Sequence, residues 1–116
     1  MAFTELEAAR FRRVAGKYID ARRPPPHIRA KLDLGFRITG QSVELFEIRP
    51  VWRGAPGEKM ESAYAKATYV RRKGTWRVYW RRADLEWHSY EPNAEVDTLE
   101  EFLAVVERDE YHCFHG

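Results

Sequence analysis

The sequence predicts an α+β domain: an N-terminal helix, a four- or five-stranded antiparallel meander, and a C-terminal helix packed on one face of the sheet. Three observations predict it. Apolar residues recur at helical spacing over the first twenty residues and again after Asp97. Between those stretches they alternate with period two. Glycine-bearing turns divide the alternating region at hairpin intervals.

The first helix is expected from Thr4 to about Arg22. Thr4 and Glu7 form a capping box, in which each side chain satisfies an orphan backbone N–H. Ala8, Phe11, Val14, Ala15 and Tyr18 then make one apolar stripe. Pro24-Pro25-Pro26 stops the helix, since proline donates no N–H and restricts its predecessor.

Strands follow. In KLDLGFRI, Leu32, Leu34, Phe36 and Ile38 alternate with Asp33 and Arg37, and Thr39-Gly40-Gln41-Ser42 supplies a tight turn. The second strand, VELFEIRPVW, changes apolar phase between Leu45 and Phe46, and a β-bulge there restores the pattern. With that bulge, Arg37 faces Glu44 and Asp33 faces Arg49, so opposite charges meet. After the loop RGAPGEKM, a third strand spans about Glu61–Arg72, and Lys73-Gly74 turns it into a fourth, Thr75–Arg82. That pairing sets Arg71 beside Trp76, Tyr69 beside Val78 and Ala67 beside Trp80. A turn at Ala83-Asp84 leads to a short fifth strand, Glu86–Tyr90, with Trp87 opposite Trp80 inward and Glu86 and His88 outward against Arg81 and Tyr79. Asp97 and Glu100 cap the second helix, whose apolar face is Leu99, Phe102, Leu103 and Val106.

At 116 residues the chain is expected to form one domain, 1–116, large enough to bury a core without staples. The single cysteine, Cys113, excludes an intrachain disulfide. With no signal-peptide pattern and no apolar run of membrane length, a cytoplasmic location and no membrane partner are expected. Net charge is only +2, but it is polarised. Residues 1–31 carry eight basic and three acidic side chains, residues 61–82 seven against one, and residues 83–110 one basic against ten acidic.

The richest stretch is GTWRVYWRRADLEWHSY, Gly74–Tyr90. Trp76, Val78 and Trp80 share one strand parity, opposite the small residues Ala63, Ala65 and Ala67. Large side chains over small ones predict packing in the core. Lys66, Arg77, Tyr79 and Arg81 take the other face, joined by Glu86 and His88 if the fifth strand pairs as above. Such a face suits an anionic partner, including single-stranded nucleic acid. Its structural alternative is a solvated face neutralised by the acidic C-terminal segment.

Two further constellations carry chemistry. Asp84, Glu86 and His88 alternate and could serve as acid and base, or His88 could bind a small ligand or metal. His112, Cys113 and His115 in the tail offer imidazole and thiolate ligands, but the second ligand pair of a zinc site is missing. The tail is otherwise expected to dock Phe114 into the core. No G-x-S-x-G, phosphate-cradling loop or H-E-x-x-H occurs, so no cofactor and no reaction class is indicated, and a non-enzymatic binding module leads.

The run from Trp76 to Tyr90, Pro92, the Leu99–Val106 helix and the terminal C-F-x-G resemble a small bacterial family known only as a domain of unknown function. The resemblance spans about Tyr64 to Gly116. It implies bacterial origin and a compact domain, and assigns no site.

Overall fold

In the computed structural model, which describes residues 2–115, α1 (Glu5–Arg22) starts where the capping box places it. Thr4 Oγ1 accepts from the Glu7 N–H at 3.2 Å and Glu7 Oε1 accepts from the Thr4 N–H at 2.9 Å. The helix ends at Arg23, whose backbone turns extended ahead of the prolines. Phe11, Ala15 and Ile19 are its buried face.

Five strands follow in a meander, each antiparallel to the next: β1 (Asp33–Thr39), β2 (Ser42–Pro50), β3 (Lys59–Val70), β4 (Thr75–Arg81) and β5 (Trp87–Ser89). A turn of 3-10 helix at Glu91–Asn93 leads to a two-residue strand, β6 (Glu95–Val96), which also pairs with β4. The chain ends with α2 (Leu99–Arg108). Gly40 and Gly74 take positive φ in the β1–β2 and β3–β4 turns, a conformation that costs a residue without Cβ little. Met1 and Gly116, the last residue of the C-F-x-G ending, lie outside the described residues.

Both helices pack on the same side of the sheet. One apolar cluster joins Phe11, Ala15 and Ile19 of α1, Val43 and Leu45 of β2, Ala65 and Ala67 of β3, Trp76 and Val78 of β4, and Leu99, Phe102, Leu103, Val105 and Val106 of α2. Tyr90 and Phe114 close its edge, with ring centroids 4.8 Å apart. Neither α1 nor α2 covers the other face of the sheet.

Several expected pairings are corrected. β1 and β2 run in unbroken register, with Arg37 opposite Glu44 but Asp33 opposite Ile48, not Arg49. The phase change in β2 is therefore real: Val43 and Leu45 face the helices, and Phe46 faces the open side. The bulge lies across from it, in β3, where Leu45 pairs with Ala65 and Phe46 with Ala63, leaving Tyr64 as the extra residue. Tyr64 and Ala65 are consequently both buried. β3 and β4 keep the expected faces but slip by two residues, so that Tyr69 meets Trp76, Ala67 meets Val78 and Ala65 meets Trp80.

β5 is shifted by one residue, and one residue changes the face of every side chain. Arg81 pairs with Trp87, Trp80 with His88 and Tyr79 with Ser89. The cause is the turn. Arg82 and Glu86 close a three-residue loop, in which Leu85 takes φ of 65° and supplies the left-handed residue such loops need. α2 is capped by Thr98, one residue later than expected, its hydroxyl accepting from the Glu101 N–H at 3.1 Å.

Candidate functional site

The uncovered face of the sheet is built by alternation on β3, β4 and β5. Lys66 lies opposite Tyr79, Thr68 opposite Arg77 and Trp87 opposite Arg81. Lys66, Arg77, Tyr79 and Arg81 therefore share one surface, as the sequence predicts. Glu86 and His88 do not belong to it: the shifted β5 register replaces them with Trp87.

Trp87 is the residue that sequence reasoning missed, and it changes the character of the face. The Lys66 ammonium lies 5.0 Å from the Tyr79 ring centroid and 4.9 Å from that of Trp87, so two aromatic rings flank one cation. The Arg81 guanidinium lies 6.0 Å from the Trp87 centroid, and Arg81 Nε donates to the Leu85 carbonyl at 3.1 Å. Partial burial depresses the Lys66 pKa, opposed by the Glu44 charge. The signal in the sequence is the loop length alone; an odd loop and an even loop between Arg81 and Trp87 give opposite faces.

The acids around this face are engaged elsewhere. Arg37 holds Glu44 at 3.2 Å and Glu61 at 2.7 Å, while its guanidinium covers the buried Phe46 ring at 4.5 Å. Glu95, beside Arg77 in the β4–β6 pair, reaches Lys73 at 3.5 Å. Among the described residues, Lys66, Arg77 and Arg81 make no ion pair. The acids of α2 do not reach this face. α2 lies on the opposite side of the sheet, where Glu100 pairs with Arg10 at 3.2 Å and Glu107 with Arg22.

Asp84, Glu86 and His88 do come together, at the tip of the β4–β5 hairpin. One ligand atom from each lies within 4.8 Å of the others, and all three side chains reach solvent. Asp84 Oδ2 lies 2.8 Å from His88 Nε2, and Asp84 Oδ1 accepts from the Glu86 N–H at 2.9 Å. The backbone hydrogen bond from Glu86, then that from His88, hold the Asp84 carboxyl below its ordinary pKa. The group can bind a cation or orient an imidazole for proton transfer.

The tail residues are separated by its path. Asp109 ends α2 in the left-handed region, and its carboxylate accepts the N–H groups of Phe114 and His115, both at 3.0 Å. Phe114 is buried, His115 stacks on Tyr64 at 4.6 Å, and His112 is exposed. Cys113 lines a groove of about 290 Å³ with Trp80, Arg82, His88 and Tyr90. Burial first, and Asp109 next, raise the pKa of its thiol, the reverse of what an activated nucleophile requires. Among the described residues, His112, Cys113 and His115 do not gather into a ligand set; the trio at the hairpin tip does.

No helix of the described residues is long and apolar enough to cross a membrane. Comparison with curated proteins and with solved structures gave no match. The family likeness carried by residues 64–116 extends into the N-terminal half: residues 3–116 match the family model of a domain of unknown function (DUF3024), and the chain belongs to that family.

Proposed function

We propose that the protein is a binding module whose open sheet face takes an anionic partner, with single-stranded nucleic acid as the chemistry that fits it best. One observation carries this: among the described residues Lys66, Arg77 and Arg81 make no ion pair around Tyr79 and Trp87, while the neighbouring Glu44 and Glu95 are held by Arg37 and Lys73. Unpaired cations attract phosphates through counterion release, and aromatic rings stack on bases without regard to sequence. The test is anisotropy of a labelled thymidine oligomer across a salt series. Three phosphate contacts give a log–log slope of about −2, at roughly 0.7 per contact. Arg77→Ala with Arg81→Ala lowers slope and affinity together; Trp87→Ala and Tyr79→Ala weaken binding at nearly constant slope. Absence of binding at low salt would remove this function and leave a protein or small-molecule partner.

A second function, divalent cation binding by Asp84, Glu86 and His88, is favoured by the convergence of their ligand atoms at the hairpin tip. One imidazole and two carboxylates suit a transition ion with open coordination positions. Calorimetric titration with Zn²⁺ tests it: saturable one-to-one heat that disappears in His88→Ala supports the site, and flat heats remove it.

A further inference from the structure

A wide concavity lies on the opposite side of the molecule from the sheet face. It is an open groove of about 770 Å³ between the two helices. The ion pairs Arg10–Glu100 and Arg22–Glu107 join the early turns of α1 to the start of α2, and the end of α1 to the end of α2. They set the helices side by side in the same direction and bracket the groove. Its floor is apolar: Val14 and Tyr18 from α1, Leu103 and Ala104 from α2. Its rim is charged, and the charge is unbalanced. Glu100 is already held by Arg10, and Glu107 by Arg22 and by the Tyr18 hydroxyl at 3.2 Å. Arg13 and Lys17 line the same groove one helical turn apart, and neither makes an ion pair among the described residues.

We infer that this groove docks an amphipathic helix of a partner protein, apolar on its inner face and acidic on the flank that meets Arg13 and Lys17. Three features select that occupant. An open trough between two helices leaves a small ligand largely exposed to water, whereas a third helix covers it along its length. Ala104 on the floor lets the incoming backbone approach closely, since a longer side chain there would stand in the trough. The unmatched rim charge is positive, so carboxylates spaced one turn apart complete it. A second copy of the chain cannot supply the occupant from its described helices. The apolar face of α2 is spent on its own core through Leu99, Phe102, Leu103, Val105 and Val106, and that of α1 through Phe11, Ala15 and Ile19.

The experiment uses two synthetic amphipathic helical peptides of about fourteen residues, four turns. They share leucines at helical spacing and differ in carrying glutamate or lysine along one flank. Anisotropy with the intact protein is expected to show saturable binding of the glutamate peptide, about tenfold tighter than the lysine peptide. Arg13→Glu with Lys17→Glu is expected to invert that preference. Ala104→Arg, at an exposed position, is expected to abolish binding of both while thermal unfolding stays unchanged. Equal affinity for the two peptides, no inversion in the charge-reversed protein, or undiminished binding to Ala104→Arg each overturns the inference. So does a dimer in sedimentation velocity that Ala104→Arg dissociates, because a second copy would then fill the groove. Arg13, Lys17 and Ala104 lie away from the sheet face, so peptide binding that survives their substitution belongs to that face and not to the groove.

Discussion

Trp76 and Trp80 sit four residues apart on one strand face, with Val78 between them, yet they have different jobs. Trp76 is 2% exposed and its ring lies within 4.9 Å of Phe11 and 5.1 Å of Tyr69. Trp80 is only half-buried at the margin of the same core, with the Arg82 guanidinium 5.5 Å from its ring. Trp76→Ala should therefore cost about 3–5 kcal/mol, and Trp80→Ala clearly less. Denaturant midpoints compare them, and a larger loss at Trp80 would contradict the packing described. Gly35 makes a second prediction at this scale. A Cβ there would stand 2.7 Å from Phe46 Cε2, because the Phe46 ring lies across the glycine under Arg37. Gly35→Ala should cost about 1–3 kcal/mol by overpacking. Most of that loss should vanish when Phe46→Leu removes the ring; a loss that persists would place the cost in the backbone. Strand parity alone revealed which face Trp76, Val78, Lys66 and Arg77 take. It did not reveal Phe46, because an apolar residue out of phase reads equally as a bulge or as burial on the second face.

At the scale of elements, boundaries and registers are decided by a few polar contacts. The capping box of α1 is local and was legible from Thr4 and Glu7. The cap of α2 was misplaced by one residue because DTLEE offers two overlapping solutions, and Thr98 wins through its bond to the Glu101 N–H. Thr98→Ala should cost about 1 kcal/mol and Asp97→Ala much less, measured by thermal unfolding. The partners of α1 are not local and had no sequence signature. Asp33 receives Arg23 in a two-bond fork at 2.8 and 2.7 Å, and Glu7 receives Arg71 at 3.1 and 2.9 Å. The bond from Arg23, followed by that of the Leu34 N–H, lowers the Asp33 pKa to about 2; the bond from Arg71, followed by that of the Thr4 N–H, lowers Glu7 to about 2. A carboxylate depressed in the folded state stabilises above its unfolded pKa and stops doing so as pH falls through the folded value. Stability should thus decline between about pH 4.5 and pH 2. Urea midpoints across that window should fall less steeply in Arg23→Gln with Arg71→Gln, which starts lower at neutral pH; an equally steep fall would assign the acid sensitivity to other groups.

Across the whole molecule, the charge blocks of the sequence resolve into two surfaces. The acidic residues of α2 go to the helical side, where Glu100 and Glu107 meet the basic N-terminal helix. Of the basic block of β3 and β4, Arg71 and Lys73 find Glu7 and Glu95, while Lys66, Arg77 and Arg81 on the open side make no ion pair among the described residues. The sequence revealed that opposite charges were segregated along the chain, but not which block would meet which, since that depends on both helices choosing one face. The α+β class, the meander and the terminal helices were legible because period and turn chemistry are local. β6 was not, because two residues carry no period.

The ion pairs of α1 also have a consequence in time. Arg10 reaches 90 residues along the chain to Glu100, Arg22 reaches 85 to Glu107, and Glu7 reaches 64 to Arg71. During synthesis the first helix emerges with its apolar face and its cations unpartnered, and Glu100 and Glu107, which receive Arg10 and Arg22, appear many residues later. High sequence separation between contacts slows folding and defers it until α2 has been made. A nascent chain arrested before Leu99 should accordingly lack protease protection, and protection should arise in one step once α2 clears the ribosome. Until that moment the N-terminal helix is a basic amphipathic segment whose buried face of Phe11, Ala15 and Ile19 has nothing of α2 to pack against.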